Sequence, residues 1–438
     1  MKLNSICIQN FRSFDNLTIE FDERLTVLVG VNGSGKSAVL DALEPGIALI
    51  TATFLQSSYQ DILSYLGCRS GYFFSHLDLP LTTDNNTITI NYNVDNVEFS
   101  YEEIYDNSFN LPKTHDLKTY INIISPHFSH YEINKPILVK YSSNRLINKS
   151  EAKLSINSKY KQGPDESYKG IIDPCIDYSS ILSWFDDINN KEARFVRDNR
   201  DLSFRLPEME VLRQAISKTL LEEYINPNFD LATYEMTLVK KDTNINFPVS
   251  SLSQGFQSIL SLTLDLARRM IMANRVMDSS AVLNTPAIVL IDEIDLHLHP
   301  SWRQKVLPIL LDVFPGAQFI VTTHSPLVLT SIKPENIVIL DGKSAIPATS
   351  STYGATISTV LRDIFAVNER PDNEVFRQLS RYFELINEGL FNSEEGIKIR
   401  KFLNKYIADD PSLVKADLLI KSYEISENIK NAQNQSST

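Results

Sequence analysis

What the sequence has little of narrows the field first. Three cysteines, Cys7, Cys68 and Cys175, occur among 438 residues. They lie far apart and form no CxxC pair, so no zinc ribbon, dithiol redox motif or disulfide scaffold is readable. Reduced thiols in a cytoplasmic protein are the expectation. No run of about 18 apolar residues occurs, which leaves no candidate membrane-spanning helix; no membrane contact is expected, and in a membrane process a partner would have to supply the membrane part. The opening MKLNSICIQNF lacks the apolar core of a secretory signal. Internal repeats, long low-complexity tracts and sustained heptads are also missing, so long coiled coils are set aside. Positive charge is in deficit, with 42 Lys and Arg against 54 Asp and Glu and a net charge of −12. That balance excludes a chain coated in nucleic acid but leaves room for a local basic track.

What is present is ordinary globular composition, 43% hydrophobic, 22% charged and 10% aromatic. At ~150 residues per domain the length allows two to three domains. Leu3 to Ile8 and Leu17 to Phe21 alternate apolar with polar, and Leu25 to Val29 is a short apolar run. These patterns predict strands. A glycine-rich turn follows, then a helix with Val39, Leu40 and Leu43 on one face. Farther on, Ile88 to Val94 and Val97 to Tyr101 alternate around Asp95-Asn96, which predicts a hairpin with a two-residue turn. From Lys135 to Lys161 seven basic residues (Lys135, Lys140, Arg145, Lys149, Lys153, Lys159, Lys161) face a single acid, Glu151. Arg194, Arg197, Arg200 and Arg205 form a weaker basic patch, diluted by Asp198 and Asp201. Asn157 to Ser167 reads as a loop. From Ser251 strands and helices alternate: a helix from Phe256 to Met272, a strand from Ala287 to Ile291, a helix from Trp302 to Leu311, and strands at Gln318–Thr322 and Asn336–Leu340. That alternation predicts a parallel sheet. The tail from Thr356 is helical, with breaks at Arg370-Pro371 and Asp410-Pro411.

Four strings carry chemistry. GVNGSGKS (Gly30, Val31, Asn32, Gly33, Ser34, Gly35, Lys36, Ser37) follows a strand and opens a helix, the context that makes a phosphate loop. Glycines let backbone N–H groups wrap phosphate without a Cβ in the way. Lys36 then reaches the β/γ-phosphates of ATP, and Ser37 ligates Mg²⁺. In AIVLIDEID an apolar strand ends in Asp292, a candidate for the Mg²⁺ shell, and Glu293, placed to orient or deprotonate an attacking water. More than half the chain separates Lys36 from Asp292, so a long insertion has to leave the nucleotide core and return. SLSQGFQS puts Ser253, Gln254 and Gly255 at a helix start, an anion cradle or else a plain N-cap. VTTHS places His324 at the end of the next strand. His297 and His299 have no third ligand at metal spacing, and the structural reading of them is preferred.

The order of phosphate loop, SLSQG, DE strand and strand-end histidine resembles the ABC-type ATPase heads of the RecF, OLD and SMC group. IQNFRSF (Ile8 to Phe14) is similar to the start of those heads, DEIDLHLHPSW and TTHSPLVL to the RecF/OLD branch, and ILVKYSSNR (Ile137 to Arg145) to a strand and loop these ATPases carry after their inserted arm. The helical tail from Tyr353 to Ile425 is similar to that of PtuA ATPases of Septu anti-phage systems, also found beside retrons. SLSQG departs from the LSGGQ signature, with Gln254 in place of its first glycine and Phe256 in place of its glutamine. The resemblance implies an α/β fold, an ABC-type head at 1–45 and 250–345, an inserted arm or lid at 46–249 and a helical region at 346–438. It implies His324 as γ-phosphate sensor, and an ATP site shared by a head-to-tail dimer, with Ser253, Gln254 and Gly255 acting in trans. It implies an HNH-type, PtuB-like nuclease partner, with DNA or retron nucleic acid as a further candidate partner. No OLD-type nuclease motif follows His324, so the chain reads as an ATPase without its own nuclease. A RecF-like repair ATPase, a transporter ATPase subunit and a nucleotide-gated scaffold with little turnover stay open as alternatives.

Overall fold

The computed structural model describes residues 1–55, 62–66, 73–80, 87–105, 112–114, 117–131, 133–143, 163–172, 178–230, 232–274, 279–368 and 370–435. Two compact units are present, Met1–Phe365 and Ala366–Thr438.

The larger unit is built on a six-stranded sheet. Its strands are β3 (Leu25–Val29), β7 (Ile137–Tyr141), β11 (Ala287–Ile291), β12 (Ala317–Thr322), β13 (Ile337–Leu340) and β14 (Ala345–Pro347). They lie in the order β14-β13-β3-β12-β11-β7. All neighbours are parallel except β13–β14. Every residue of β3, β7, β11 and β12 is buried. Strands covered on both faces read as continuous apolar runs, which is why the sequence located three of them closely. Parallel strands carry their chemistry at their carboxyl ends, and three of these strands end in the motifs Gly30–Ser37, Asp292-Glu293 and Thr322–Ser325.

A second sheet is antiparallel. It comprises β1 (Leu3–Phe11), β2 (Phe14–Glu20), β4 (Thr87–Val94), β5 (Val97–Tyr105) and β6 (Pro112–Thr114), in the order β2-β1-β4-β5-β6. The β4–β5 turn has Asp95 at φ 50° and Asn96 at φ 63°, the left-handed pair a tight hairpin needs. A third small sheet, β8 (Tyr224–Asp230), β9 (Glu235–Lys240) and β10 (Ile245–Pro248), runs directly into the helix Gln254–Ala273.

The expected division at 46–249 has to be redrawn. The β4–β5 hairpin pairs with β1, and β7 pairs with β11, so both belong to the head sheets. Physically, β1 and β11 each carry apolar residues that need a neighbour on that edge, and the inserted chain supplies it. The boundary expected at 346 also moves, since β14 pairs with β13 and the compact tail begins at Ala366. The expected helix Trp302–Leu311 is two helices, Pro300–Arg303 and Val306–Val313. The tail unit packs the helices Glu374–Asn387, Glu394–Ile407 and Pro411–Gln435 around Leu379, Tyr382, Leu385, Leu403 and Leu413.

β7 also ties the insertion to the helix Lys36–Ala42 that follows the glycine loop. Lys140 is 7% exposed, and its ammonium donates to Asp41 and, at 2.6 Å, to Glu44. Asp41 also accepts from Arg12 Nη1 at 2.6 Å, and Arg12 Nε donates to Asp78 at 2.7 Å. Burial works against the Lys140 charge, but Glu44 and Asp41 outweigh it and raise its pKa. Burial outweighs the pull of Lys140 on Glu44 and pushes that carboxyl up to about 6. Lys140→Met keeps most of the stem volume and removes the charge. It should destabilise the protein by about 3 kcal/mol, because the buried Glu44 carboxylate is left facing Asp41 without the cation between them, Arg12 staying on Asp41. Urea unfolding measures this, and a loss below about 1 kcal/mol would mean that the network contributes little.

Candidate functional site

The glycine loop begins where β3 ends. Gly35 has φ +92°, and a Cβ there would sit 2.3 Å from Phe14 Cζ. Phe14 is fully buried, so the aromatic ring of FRSF forms the floor under the loop. A Cβ on Gly30 would meet the Leu340 carbonyl oxygen at 2.3 Å. The loop is therefore pressed against β2 and β13 from below, while Val31, Asn32 and Gly33 face solvent. Lys36 is 6% exposed, and its Nζ donates to the carbonyls of Gly30 and Val31, each at 3.0 Å. Burial lowers the pKa of its ammonium, with Asp292 and Glu293 pulling the other way. The Ser34 hydroxyl is buried and has no hydrogen-bond partner among the described residues.

Two distant parts of the sequence meet at the loop. Ser37 Oγ donates to Asp292 Oδ2 at 3.0 Å. Asp292 stands just past the end of β11, its N–H donating to the Tyr141 carbonyl at 2.8 Å. Glu293 follows at φ 48°, a left-handed conformation that costs a non-glycine residue about 1–2 kcal/mol. Its N–H is held by Thr322 Oγ1 at 2.7 Å, and the same hydroxyl donates to Asp292 Oδ1 at 2.5 Å. Thr323 Oγ1 donates to Asp295 Oδ1. His324 is exposed on the next residue.

Ser253 does cap its helix, its Oγ accepting from Phe256 N at 3.5 Å. Ser253 and Gln254 are exposed, while Gly255 is buried. A Cβ on Gly255 would lie 3.3 Å from the His297 carbonyl, so the helix start is seated on the turn after Glu293. Behind it the helix is anchored by Asp265, which accepts from Arg268 at 2.8 Å, Arg269 at 2.7 Å and Tyr141 Oη at 2.9 Å. Burial opposes the Asp265 charge, yet Arg269 and Arg268 hold its carboxyl far below the usual range.

The structure thus brings Lys36, Ser37, Asp292 and Glu293 together, with His324 one strand away. Among the described residues, no hydrogen bond joins Ser253, Gln254 or Gly255 to the loop Gly30–Ser37. His299 acts as a helix cap, its Nδ1 accepting from Ser301 N at 3.4 Å. No group of three metal-ligating side chains occurs among the described residues, and no helix among them is long and apolar enough to cross a membrane. The basic stretch loses two members to the interior, since Lys135 is 8% exposed and Lys140 is committed to carboxylates. Arg145, Lys149, Lys153, Lys159 and Lys161 lie outside the described residues. In the weaker patch, Arg197 pairs with Asp198 at 2.9 Å, and Arg205 donates to the carbonyls of Leu202 and Phe204. Sequence reasoning missed Phe14, Tyr141, Lys140, Thr322 and Thr323. Only the threonine pair had a visible signal, two hydroxyls standing directly before the strand-end histidine.

Residues 2–341 match the family described as the RecF/RecN/SMC N terminal domain. The chain is similar to the retron Ec83 probable ATPase of Escherichia coli, 26% identical over 96% of this chain and 87% of that protein. It is similar to Septu protein PtuA of Bacillus mycoides, 25% identical over 92% of this chain and 50% of that protein. It is also similar to the SMC head domain from Thermotoga maritima, at TM-score 0.40 and 17% identity, covering 80% of this chain and all of that one.

Proposed function

From its membership of the RecF/RecN/SMC N-terminal domain family, we propose that the chain is an ATP-binding and ATP-hydrolysing subunit of an anti-phage defence complex. The observation that carries the catalytic part is the 3.0 Å contact between Ser37 and Asp292, with Glu293 beside it. The retron and Septu relatives support the defence setting.

Backbone N–H groups of the loop bind the phosphates, and Lys36 sets its point charge against the β/γ-phosphates. To reach them, Nζ exchanges its two carbonyl partners for phosphate oxygens. Ser37 and Asp292 suit Mg²⁺, since a hydroxyl and a carboxylate oxygen are hard donors already side by side. When bound there, the ion neutralises charge building on the transferring phosphoryl group. Glu293 orients the attacking water and accepts its proton. His324, exposed just past the end of β12, serves as the γ-phosphate sensor in this reading. Ser253, Gln254 and Gly255 complete the site of a second subunit, the helix start presenting N–H groups to its nucleotide. The output of this cycle is control of a separate HNH-type nuclease subunit, with no nuclease in this chain.

Lys36→Ala tests the reading. ATP affinity by calorimetry should fall at least about tenfold, the loss expected when a charge-assisted contact to phosphate is removed. Unchanged affinity would remove the phosphate-loop assignment.

A further inference from the structure

We infer that Thr322 is a positioning residue for both carboxylates of the site, through one hydroxyl used in two directions. Thr322 is the last residue of β12 and is fully buried. Its Oγ1 donates to Asp292 Oδ1 at 2.5 Å and accepts from the Glu293 N–H at 2.7 Å. A hydroxyl has one proton and two lone pairs, so both bonds can be made at once.

The consequences for the two carboxylates differ. Asp292 has one oxygen on Thr322 and the other facing Ser37. With Oδ1 fixed, the plane of the carboxylate is set and Oδ2 is aimed at the Ser37 hydroxyl. Glu293 is held through its backbone. The β11 ladder is used up at Asp292, whose N–H goes to Tyr141. The next N–H points to the opposite side, as along any strand, and meets Thr322 Oγ1, and the left-handed φ of 48° at Glu293 then turns the chain that follows. The Thr322 carbonyl then takes the Ile294 N–H at 3.0 Å. A single threonine thereby accepts two successive N–H groups and fixes the turn that carries the Glu293 side chain. Strained backbone of this kind persists only where neighbours over-determine it.

The inference rests on the ATPase reading above, and its test separates the two. Thr322→Val keeps the shape and removes the hydroxyl. Thr322→Ser keeps the hydroxyl and removes the methyl. The valine variant should lose about 10- to 100-fold in turnover, the range for a hydrogen bond to a charged group. Its half-saturating Mg²⁺ should rise at least threefold, and its ATP affinity in EDTA should stay within about twofold, since Lys36 and the loop are untouched. The serine variant should recover to within about threefold of wild type. Should Thr322→Val fail to fold, Thr322→Ala, which adds no atom, carries the same expectation. If the wild type itself shows no turnover, the ATPase reading fails. Thr322 is then judged by the gain in ATP affinity on adding Mg²⁺, present in wild type and Thr322→Ser and lost in Thr322→Val. A valine variant equal to wild type, or a serine variant as impaired as valine, would overturn the inference.

Discussion

Glu293→Gln should bind ATP nearly as tightly as wild type and turn it over about 10²- to 10⁴-fold more slowly. The amide has the size of the carboxylate and the same backbone needs, so the φ of 48° and the bond from its N–H to Thr322 are retained. It cannot take a proton from water at neutral pH. The effect should therefore fall on the chemical step and leave the Lys36 and Ser37 contacts alone. Phosphate release under saturating ATP and calorimetric affinity measure the two quantities separately. Turnover at the wild-type level would move the water-orienting role to another residue. A parallel loss of affinity would instead show that Glu293 mainly shapes the loop pocket.

How far the sequence alone reached follows a physical pattern. β3 and β11 were legible to the residue because strands buried on both faces are uninterrupted apolar runs. The hairpin was legible from alternation and from Asp95-Asn96, residues that tolerate left-handed φ. The glycine turn between β3 and the helix Lys36–Ala42 was legible because glycines punctuate a strand-to-helix turn. What escaped were contacts between residues distant in sequence. Lys140 looked like one cation in a solvated stretch, since nothing local says that Asp41 and Glu44 wait for it across the sheet. Phe14 stood only as the end of the string IQNFRSF, outside the expected strands, and only the fold puts its ring under Gly35. Thr322 looked like a good strand former, which it is, and its hydroxyl acquires a role only through the Asp292–Ile294 turn. The arm was overdrawn for a related reason. Chain length between motifs reveals that an insertion exists, but not that its hairpin and its last strand pair with β1 and β11.

The proposed sharing of the site between two subunits makes the sharpest remaining prediction, that Ser253 acts on the nucleotide of a partner subunit. Ser253 and Gln254 face solvent at the start of a 20-residue helix, while Gly255 behind them is pressed on the His297 carbonyl. The exposed end is therefore free to meet another molecule, and the buried glycine links it to the turn after Glu293. Ser253→Arg places a long side chain on that face and removes the helix cap, a loss of about 1 kcal/mol that leaves the core of the unit in place. Alone it should abolish turnover, as should Lys36→Ala. Co-expressed, the two form mixed dimers in which one site carries both lesions and the other carries neither. Random pairing should restore about a quarter of wild-type turnover, because half the dimers are mixed and each has one working site. Activity no higher than in either parent, with mixed dimers shown to form, would rule out independently working sites in trans. ATP should also tighten association of the wild-type subunits, because a ligand held between two surfaces favours the assembled state. Lys36→Ala should lose that effect through the nucleotide, and Ser253→Arg through the surface that receives it.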